Sequence, residues 1–541
     1  MELSFLGGAS TVTGSRFLLT TARAKVLIDC GMFQGSPNET VRNRVPLGFD
    51  PSEIDAILVT HAHLDHCGLL PMAVRDGYHG PIFLTSATAE LVEIVLLDSG
   101  RLQEEFASRH SRWERRHADQ ALAADEKGAA TYRAAVDLAR RTEEEEGHVP
   151  TSIEPDPPPA DLPGWDTLPA GADVEAMLRA QPPVVDADLD APLYTEDDAK
   201  LVTPLFRKVR YGAEVDVAPG IQATFSDAGH ILGSAIIRLV IRETDGGTRT
   251  TIVFSGDLGR PGTPILRDPT PMSGADFVVV ESTYGGREHE PPDEAVRLLA
   301  EAVRATADAG GVLLIPSFAI GRTQEVVWEL DRLIERGEIP MLPLYLDSPM
   351  ASRASDVYRH HPEFYDAETK ALLDHGNTPL DYPKQTITRS ADESKAIATA
   401  ERPYMIVASN GMLTGGRVVA HLRNLIDDPA ATILFVGYQG VGTLGAHLQA
   451  GAKTVRLDGQ VRQVQCRIRS ISGFSAHADE SELLDWLRNF ARGRRPGEPG
   501  YPKTVFLVHG DPEAQLAIRP KVEALGFVVH VPHWREQVEL G

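Results

Sequence analysis

Five times in this chain a short apolar run ends on a residue that can hold a metal ion or move a proton: "KVLID" at Asp29, "AILVTH" at His61, "TIVFSGD" at Asp257, "DFVVVE" at Glu281 and "TVFLVH" at His509. Such runs read as buried strands. In layered α/β proteins the C-terminal ends of buried strands gather at one edge of the sheet, which brings residues distant in sequence into one cleft. Singly, each could be a capping carboxylate or a hydrogen-bonded core histidine. Five in one chain make a shared site the better reading. His230, in "SDAGHILGSA" among glycines that permit close approach, is a sixth candidate.

The stretch "VTHAHLDHCG", from Val59 to Gly68, sharpens that reading. Where the chain leaves its strand still extended, residues two apart point the same way, so His61 and His63 can grip one cation. Asp65 and His66 then fall at the start of a turn or helix, aimed at a second. Imidazole nitrogen and carboxylate oxygen suit Zn²⁺ and, less specifically, Mn²⁺ or Fe²⁺. The three cysteines, Cys30, Cys67 and Cys466, are scattered and lack C-x-x-C spacing. That fits a reducing compartment and argues against a thiolate site. Cys67 is expected to pack beneath the loop.

At 541 residues and 42% hydrophobic, the chain can bury more than one core, so two or more domains are expected. "MELSFLGGAS" lacks a basic segment followed by an apolar one, and no run approaches the length of a bilayer span, so a cytoplasmic protein with no membrane partner is expected. The net charge of −24 argues at first against a phosphate-bearing partner. Residues 118–200, however, hold 20 Asp/Glu against 6 Lys/Arg, or −14, which leaves −10 for everything else. With "EEEE" at 143–146 and "PDPPPADLPG" at 155–164, this stretch reads as a surface insertion of about 110–195, helical near 118–145 and irregular beyond. In "SRHSRWERRH", Arg109, Arg112 and Arg116 share a helical face beside Trp113. An RNA-contacting arm is conceivable there; a solvated face paired with the acidic segment is the simpler reading.

"THAHLDHCG" matches the H-x-H-x-D-H signature of the metallo-β-lactamase superfamily, with His230 and Asp257 following in its order. "ESTYGGREH" with Glu281, "GFSAHAD" with His477 and "LVHGD" with His509 resemble motifs A, B and C of the nucleic-acid-processing β-CASP branch. "DCGMFQG", "PSFAIGRTQE", "SNGMLTGG" and "GYQGVGTLG" strengthen a likeness to bacterial and archaeal relatives of the endonuclease subunit of the cleavage and polyadenylation specificity factor. The likeness covers nearly the whole chain outside the insertion.

The resemblance implies an α/β fold: an αββα metallo-β-lactamase sandwich from 1–284 and 472–541, with a β-CASP domain of mostly parallel sheet inserted at 285–471. The chain supports this independently, since "GVLLIPSF", "PLYLDS", "YMIVAS" and "TILFVG" are strand-like runs separated by helical stretches. By the same resemblance, His61, His63 and His230 would hold one Zn²⁺ and Asp65, His66 and His509 another. Asp257 would bridge the two, and Asp29 would orient a histidine through its free ring nitrogen. Two metals roughly 3.5–4 Å apart suit phosphodiester hydrolysis by a bridging hydroxide. His477 is then the candidate general acid, kept cationic by Glu281.

Histidine at motif C accompanies the RNA-processing members of the branch, so single-stranded RNA is the expected partner; a homodimer is left open. Endonucleolytic cleavage fits the likeness best. Alternatives are 5′ exonuclease action, hydrolysis of a small ester or thioester, and a non-catalytic RNA-binding scaffold. Glycine-rich turns after strands could offer backbone N–H groups to phosphate. Those near Gly321, Gly415 and Gly416 would be helped by Ser317, Arg322 and Ser409, and a third such turn surrounds Thr443.

Overall fold

The computed structural model describes residues 1–35, 37–114, 128, 130–136, 138, 191–244, 247–378, 380–437, 439–440, 443–457 and 459–541. Two seven-stranded sheets form one body. The first runs, in spatial order, Glu536–Glu539, Glu2–Gly7, Arg16–Thr20, Lys25–Ile28, Ala56–Leu58, Ile82–Thr85 and Phe206–Val209. The second runs Val529–His530, Thr504–Val508, Phe277–Glu281, Arg249–Phe254, Ala235–Arg242, Ile221–Asp227 and Glu214–Ala218. Their inner faces share one core, in which Phe5, Phe17, Leu58, Phe225, Ile252 and Phe506 are buried together. Alternating apolar residues on each strand supply that face, as a packed pair of sheets requires. Helices cover the outer faces: Leu70–Arg75 and Ser86–Glu114 on the first sheet, Glu480–Ala491 and Pro512–Ala524 on the second. The layers are therefore helix, sheet, sheet, helix.

A third sheet of six strands lies between the two parts in sequence, in the order Gln385–Ile387, Leu344–Asp347, Tyr404–Ala408, Val312–Pro316, Thr432–Phe435 and Arg467–Ser470. Every pairing in it is parallel, one step beyond the mostly parallel sheet expected. Leu313, Ile315, Met405 and Val407 face one core, while Val312, Leu314, Tyr404 and Ile406 face the other. Burial on both sides explains why these runs are continuously apolar rather than alternating.

The two bodies share a seam. Trp328, Val357 and Tyr358, on helices of the parallel-sheet body, belong to the same apolar cluster as Leu91, Val92 and Val95 of Ser86–Glu114. Gly321 shows how close the approach is. Its φ is +81°, and a Cβ there would lie 2.7 Å from Ile231 of the other body, so a side chain at 321 would force the bodies apart.

Asp347, at the end of its strand, is fully buried and accepts hydrogen bonds from His421 Nε2 at 2.6 Å, Arg417 Nη1 at 2.7 Å, Ser394 Oγ at 2.5 Å and Thr388 Oγ1. Burial pushes its carboxyl upward, but these donors outweigh it and hold the group below the usual range. A depressed folded-state value means the contribution is present above the unfolded value of about 3.9 and is lost as pH falls below it. Asp347→Ala leaves Arg417 and His421 facing a void. It is expected to destabilise this body by about 3–5 kcal/mol, read as a lowered thermal unfolding midpoint at pH 7.

Of the expected insertion, residues 130–136 are helical, with Tyr132 and Ala135 packed against Phe33 and Trp534. The tetraglutamate and the proline-rich run lie outside the described residues, as do Arg116 and the side chains of Arg112 and Trp113. Arg109 is exposed and pairs with Glu105 at 3.3 Å. No helix among the described residues is long and apolar enough to cross a membrane.

Candidate metal centre

Three of the five strand-end residues, His61, Asp257 and His509, meet at one point together with His230 and the 61–66 loop. His61 Nε2 lies 3.2 Å from His63 Nδ1, which is also 3.2 Å from His230 Nε2. Asp257 Oδ2 stands 3.4 Å from His61 Nε2 and 3.6 Å from His230 Nε2. Its other oxygen, Oδ1, lies 3.2 Å from His66 Nε2 and 3.6 Å from His509 Nδ1. His509 Nε2 is in turn 3.6 Å from Asp65 Oδ2. Three overlapping donor sets result, His61/His63/His230/Asp257, Asp65/His66/His509 and Asp257/His477/His509, with the atoms of each within 4.8 Å of one another.

Backbone geometry places these groups. His63 is extended (φ −71°, ψ 148°) directly before the short helix Leu64–Cys67, so the histidines two apart project together while Asp65 and His66 turn onto the helix. Asp29 and His509 hold left-handed backbone conformations, φ 58° and 47°, which non-glycine residues rarely adopt and which concentrate at functional sites. Beneath the loop the chain at Gly31 passes so close that a Cβ would fall 1.7 Å from the Asp65 carbonyl oxygen. Asp29 accepts from His66 Nδ1 at 2.7 Å, from Thr60 N at 2.7 Å and from Thr60 Oγ1 at 2.8 Å. It thereby turns His66 Nε2 toward Asp257.

Do these residues fit a divalent cation? His63 Nε2, His66 Nε2, Asp257 Oδ1 and His509 Nε2 are buried without a hydrogen-bond partner, a costly arrangement unless something else satisfies them. Donor atoms on a tetrahedral ion with bonds of about 2.0–2.1 Å stand roughly 3.4 Å apart, close to the separations here. Burial pushes His61 down to about 3 and His63 down to about 4, and it carries His230 well below its usual value. These imidazoles are therefore neutral, as ligands must be. Burial likewise opposes charge on His66, but Asp257 and Asp29 at its two nitrogens raise it well above the ordinary value. Burial pushes Asp257 upward too, yet the surrounding imidazoles, His509 and His66 first, hold it well below the carboxylate range. The donor set fits a divalent cation.

At the open side of the centre, His477 Nδ1 lies 3.0 and 3.1 Å from the two oxygens of buried Glu281, and its Nε2 is 3.9 Å from Asp257 Oδ2. Glu281 Oε1 also accepts from Leu258 N at 2.6 Å. Burial penalises charge on His477, but Glu281 and then Asp257 outweigh it and raise the group to about 9.

The residues expected to meet phosphate differ in exposure and in their partners within the fold. Ser317, Arg322 and Thr443 are buried and bonded internally: Ser317 Oγ accepts from Thr323 Oγ1 at 3.2 Å, Arg322 Nη1 donates to Val436 O at 2.8 Å, and Thr443 Oγ1 caps Leu444–Gln449. Ser409 is half-buried and donates to Ser348 Oγ at 3.1 Å. Gly415 has open space above it, and Gly416, with φ 80°, starts helix Arg417–Leu425. Sequence reasoning passed over several partners. Thr60 Oγ1 stands 3.1 Å from His61 Nδ1, and Thr283 Oγ1 3.1 Å from His509 Nδ1. His289 Nε2 donates to the His477 carbonyl oxygen at 3.1 Å, and its ring meets Tyr284 edge-on. All lie next to or inside the motifs quoted above, so adjacency was the available signal.

Family models match the chain in three places: the metallo-β-lactamase superfamily over residues 12–79, the Beta-Casp domain over 323–448 and a Zn-dependent metallo-hydrolase RNA specificity domain over 462–532. Ribonuclease TTHA0252 of Thermus thermophilus is 33% identical over 99% of this chain and 100% of its own length. Transcription termination factor FttA of Methanosarcina mazei is 30% identical over 96% of this chain and 69% of its own. FttA of Methanocaldococcus jannaschii is 28% identical over 97% and 69%.

Proposed function

Because this chain belongs to the β-CASP branch of the metallo-β-lactamase superfamily, we propose that it is an RNA phosphodiesterase that cuts single-stranded RNA internally, with a pair of Zn²⁺ ions at the His/Asp centre. The observation that carries the reading is the placement of Asp257 between two donor sets, with the Glu281-held His477 beside it. His61, His63 and His230 would hold one cation, Asp65, His66 and His509 the second, and Asp257 both. Bound there, such a pair lowers the pKa of water and spreads the charge that builds on phosphate oxygens.

The chain's own residues supply the rest. Asp29 and Thr60 fix the ring of His66, and Thr283 fixes that of His509. His477, cationic through Glu281, gives its Nε2 proton to the departing oxygen, leaving a 3′-hydroxyl and a 5′-phosphate. Ser409 and the Gly415–Gly416 turn stand at the ends of parallel strands, where backbone N–H groups can receive a neighbouring phosphate. The division proposed for the chain is a metallo-β-lactamase domain of 1–284 with 472–541 and a β-CASP domain of 285–471, the cleft lying between them.

The test is incubation of zinc-loaded protein with 5′-labelled single-stranded RNA and matched DNA, with and without a chelator, and sizing of the products. Internal RNA fragments that disappear with the chelator are expected. Release of mononucleotides alone would replace internal cutting by 5′ exonuclease action. Intact RNA would overturn the reading.

A further inference from the structure

The strand that leads to His477 is also the exposed edge of the parallel sheet. Arg467–Ser470 pairs with Thr432–Phe435 on one side and, among the described residues, with no strand on the other. On it Arg467 and Arg469, two apart and therefore on one face, are both exposed, while Cys466 is buried. Immediately before it in sequence the hairpin Thr454–Leu457/Gln460–Gln463 forms a separate two-stranded sheet, whose ladder extends through Val464 N to Lys453 O at 2.9 Å. Val455 and Leu457 face inward, while Lys453 and Arg456 are exposed. Arg462 is set apart from these four because it pairs with Asp427 at 2.5 Å. Arg456 donates to Gly459 O within its own turn, at 3.0 Å.

Residues 453–469 carry Lys453, Arg456, Arg462, Arg467 and Arg469 against Asp458, which is +5 − 1 = +4, so the remainder of the chain carries −24 − 4 = −28. Glutamines 460, 463 and 465 stand between the cations, and of these three all are exposed. At roughly 3.3 Å per residue Lys453 and Arg456 stand about 10 Å apart along their strand, and Arg467 and Arg469 about 7 Å apart along theirs. Seven residues beyond Ser470 the chain reaches His477. Four cations without an ion pair among the described residues, with interleaved amide donors, fit a phosphodiester backbone held by charge and without base recognition.

We propose that Lys453, Arg456, Arg467 and Arg469 form a track along the edge of the β-CASP sheet that holds the backbone of a single-stranded RNA extending out of the cleft. The inference rests on the RNA reading above and adds a determinant of substrate length. Short RNA fills the cleft alone; long RNA also reaches the track.

The test compares wild type with Lys453→Gln/Arg456→Gln/Arg467→Gln/Arg469→Gln on 8-nucleotide and 30-nucleotide uridine-rich RNAs, with anisotropy of the labelled longer RNA read between 50 and 300 mM KCl. Wild type is expected to show a lower KM for the 30-mer than for the 8-mer. The variant should lose that advantage, with kcat and the 8-mer kinetics unchanged, and the slope of log affinity against log salt should flatten by up to about 3, at roughly 0.7 per lost phosphate contact. Equal kinetics of the two proteins at both lengths overturn the track and leave the row to an acidic protein. Equal losses on both RNAs, or a lowered unfolding midpoint, also overturn it, by placing the effect in the cleft or the fold. If wild type neither binds nor cuts either RNA, the RNA reading itself falls, an outcome distinct from the others.

Discussion

Asp257→Asn is expected to leave the protein folded and nearly inactive, with metal content falling below that of wild type, to one ion or fewer where the proposed pair is bound, and kcat falling by roughly 10³–10⁴. Asp257 is the one carboxylate whose two oxygens face different donor sets, Oδ2 toward His61 and His230 and Oδ1 toward His66 and His509. An amide of the same shape keeps the packing but removes a full negative charge from among those imidazoles, and its nitrogen cannot act as an oxygen donor. Since each 1.36 kcal/mol in a barrier is tenfold in rate, a loss of about 4–5 kcal/mol of charge stabilisation gives the stated range. Far-UV circular dichroism checks the fold, elemental analysis of the dialysed protein the metal, and RNA cleavage the rate. A variant that keeps both ions and its rate would remove Asp257 from the centre. His63→Ala should behave more mildly in metal content, because its Nδ1 faces only the first donor set.

Much of the site could be read before any coordinates because its residues obey a rule of layered sheets: buried strands end at one edge, and whatever polar residue ends them is carried to that edge. Asp29, His61, Asp257, Glu281 and His509 all follow it. The parallel character of the third sheet was legible for a related reason, since strands such as Val312–Pro316, buried on both faces, lose the alternation that marks a half-exposed strand. The glycine turns were not legible to the same degree. A strand–glycine–helix turn looks alike in sequence whether its polar residues face a ligand or cap a helix, and Thr443 and Arg322 prove to be bonded within the fold. Thr60 and Thr283 escaped notice because threonine is ordinary in strands, and only a neighbouring ring reveals its hydroxyl as a support. The seam was equally hidden. Helix Ser86–Glu114 serves the cores of both bodies, through contacts with residues some 250 positions away that no local pattern announces. The basic edge was masked by the net charge, which sums over faces that never meet.

The pair His477 and Glu281 yields the second large effect, and it separates a proton donor from a packing residue. His477→Ala should lower kcat by about 10²–10⁴, the range for loss of a positioned general acid, with metal content unchanged. Glu281→Gln should act through the acidity of His477 rather than by removing it. In the intact protein Glu281 and Asp257 overcome the cost of burial and raise the imidazole to about 9. With His477 as the proposed proton donor the active form is the protonated one, so the rate should be sustained below that value and fall as pH rises through it, the limb shifting lower when cations occupy the centre. Replacing the carboxylate by an amide removes the largest raising influence while burial remains, so the same limb should move to lower pH. The deficit should be smallest at pH 6 and grow toward pH 9. A profile of kcat/KM against pH for wild type, Glu281→Gln and Glu281→Asp reads this directly, with the aspartate, which keeps the charge at a longer reach, falling between the other two. A Glu281→Gln profile parallel to wild type at every pH, merely lower, would show that Glu281 only packs beneath His477 and that the proton comes from elsewhere.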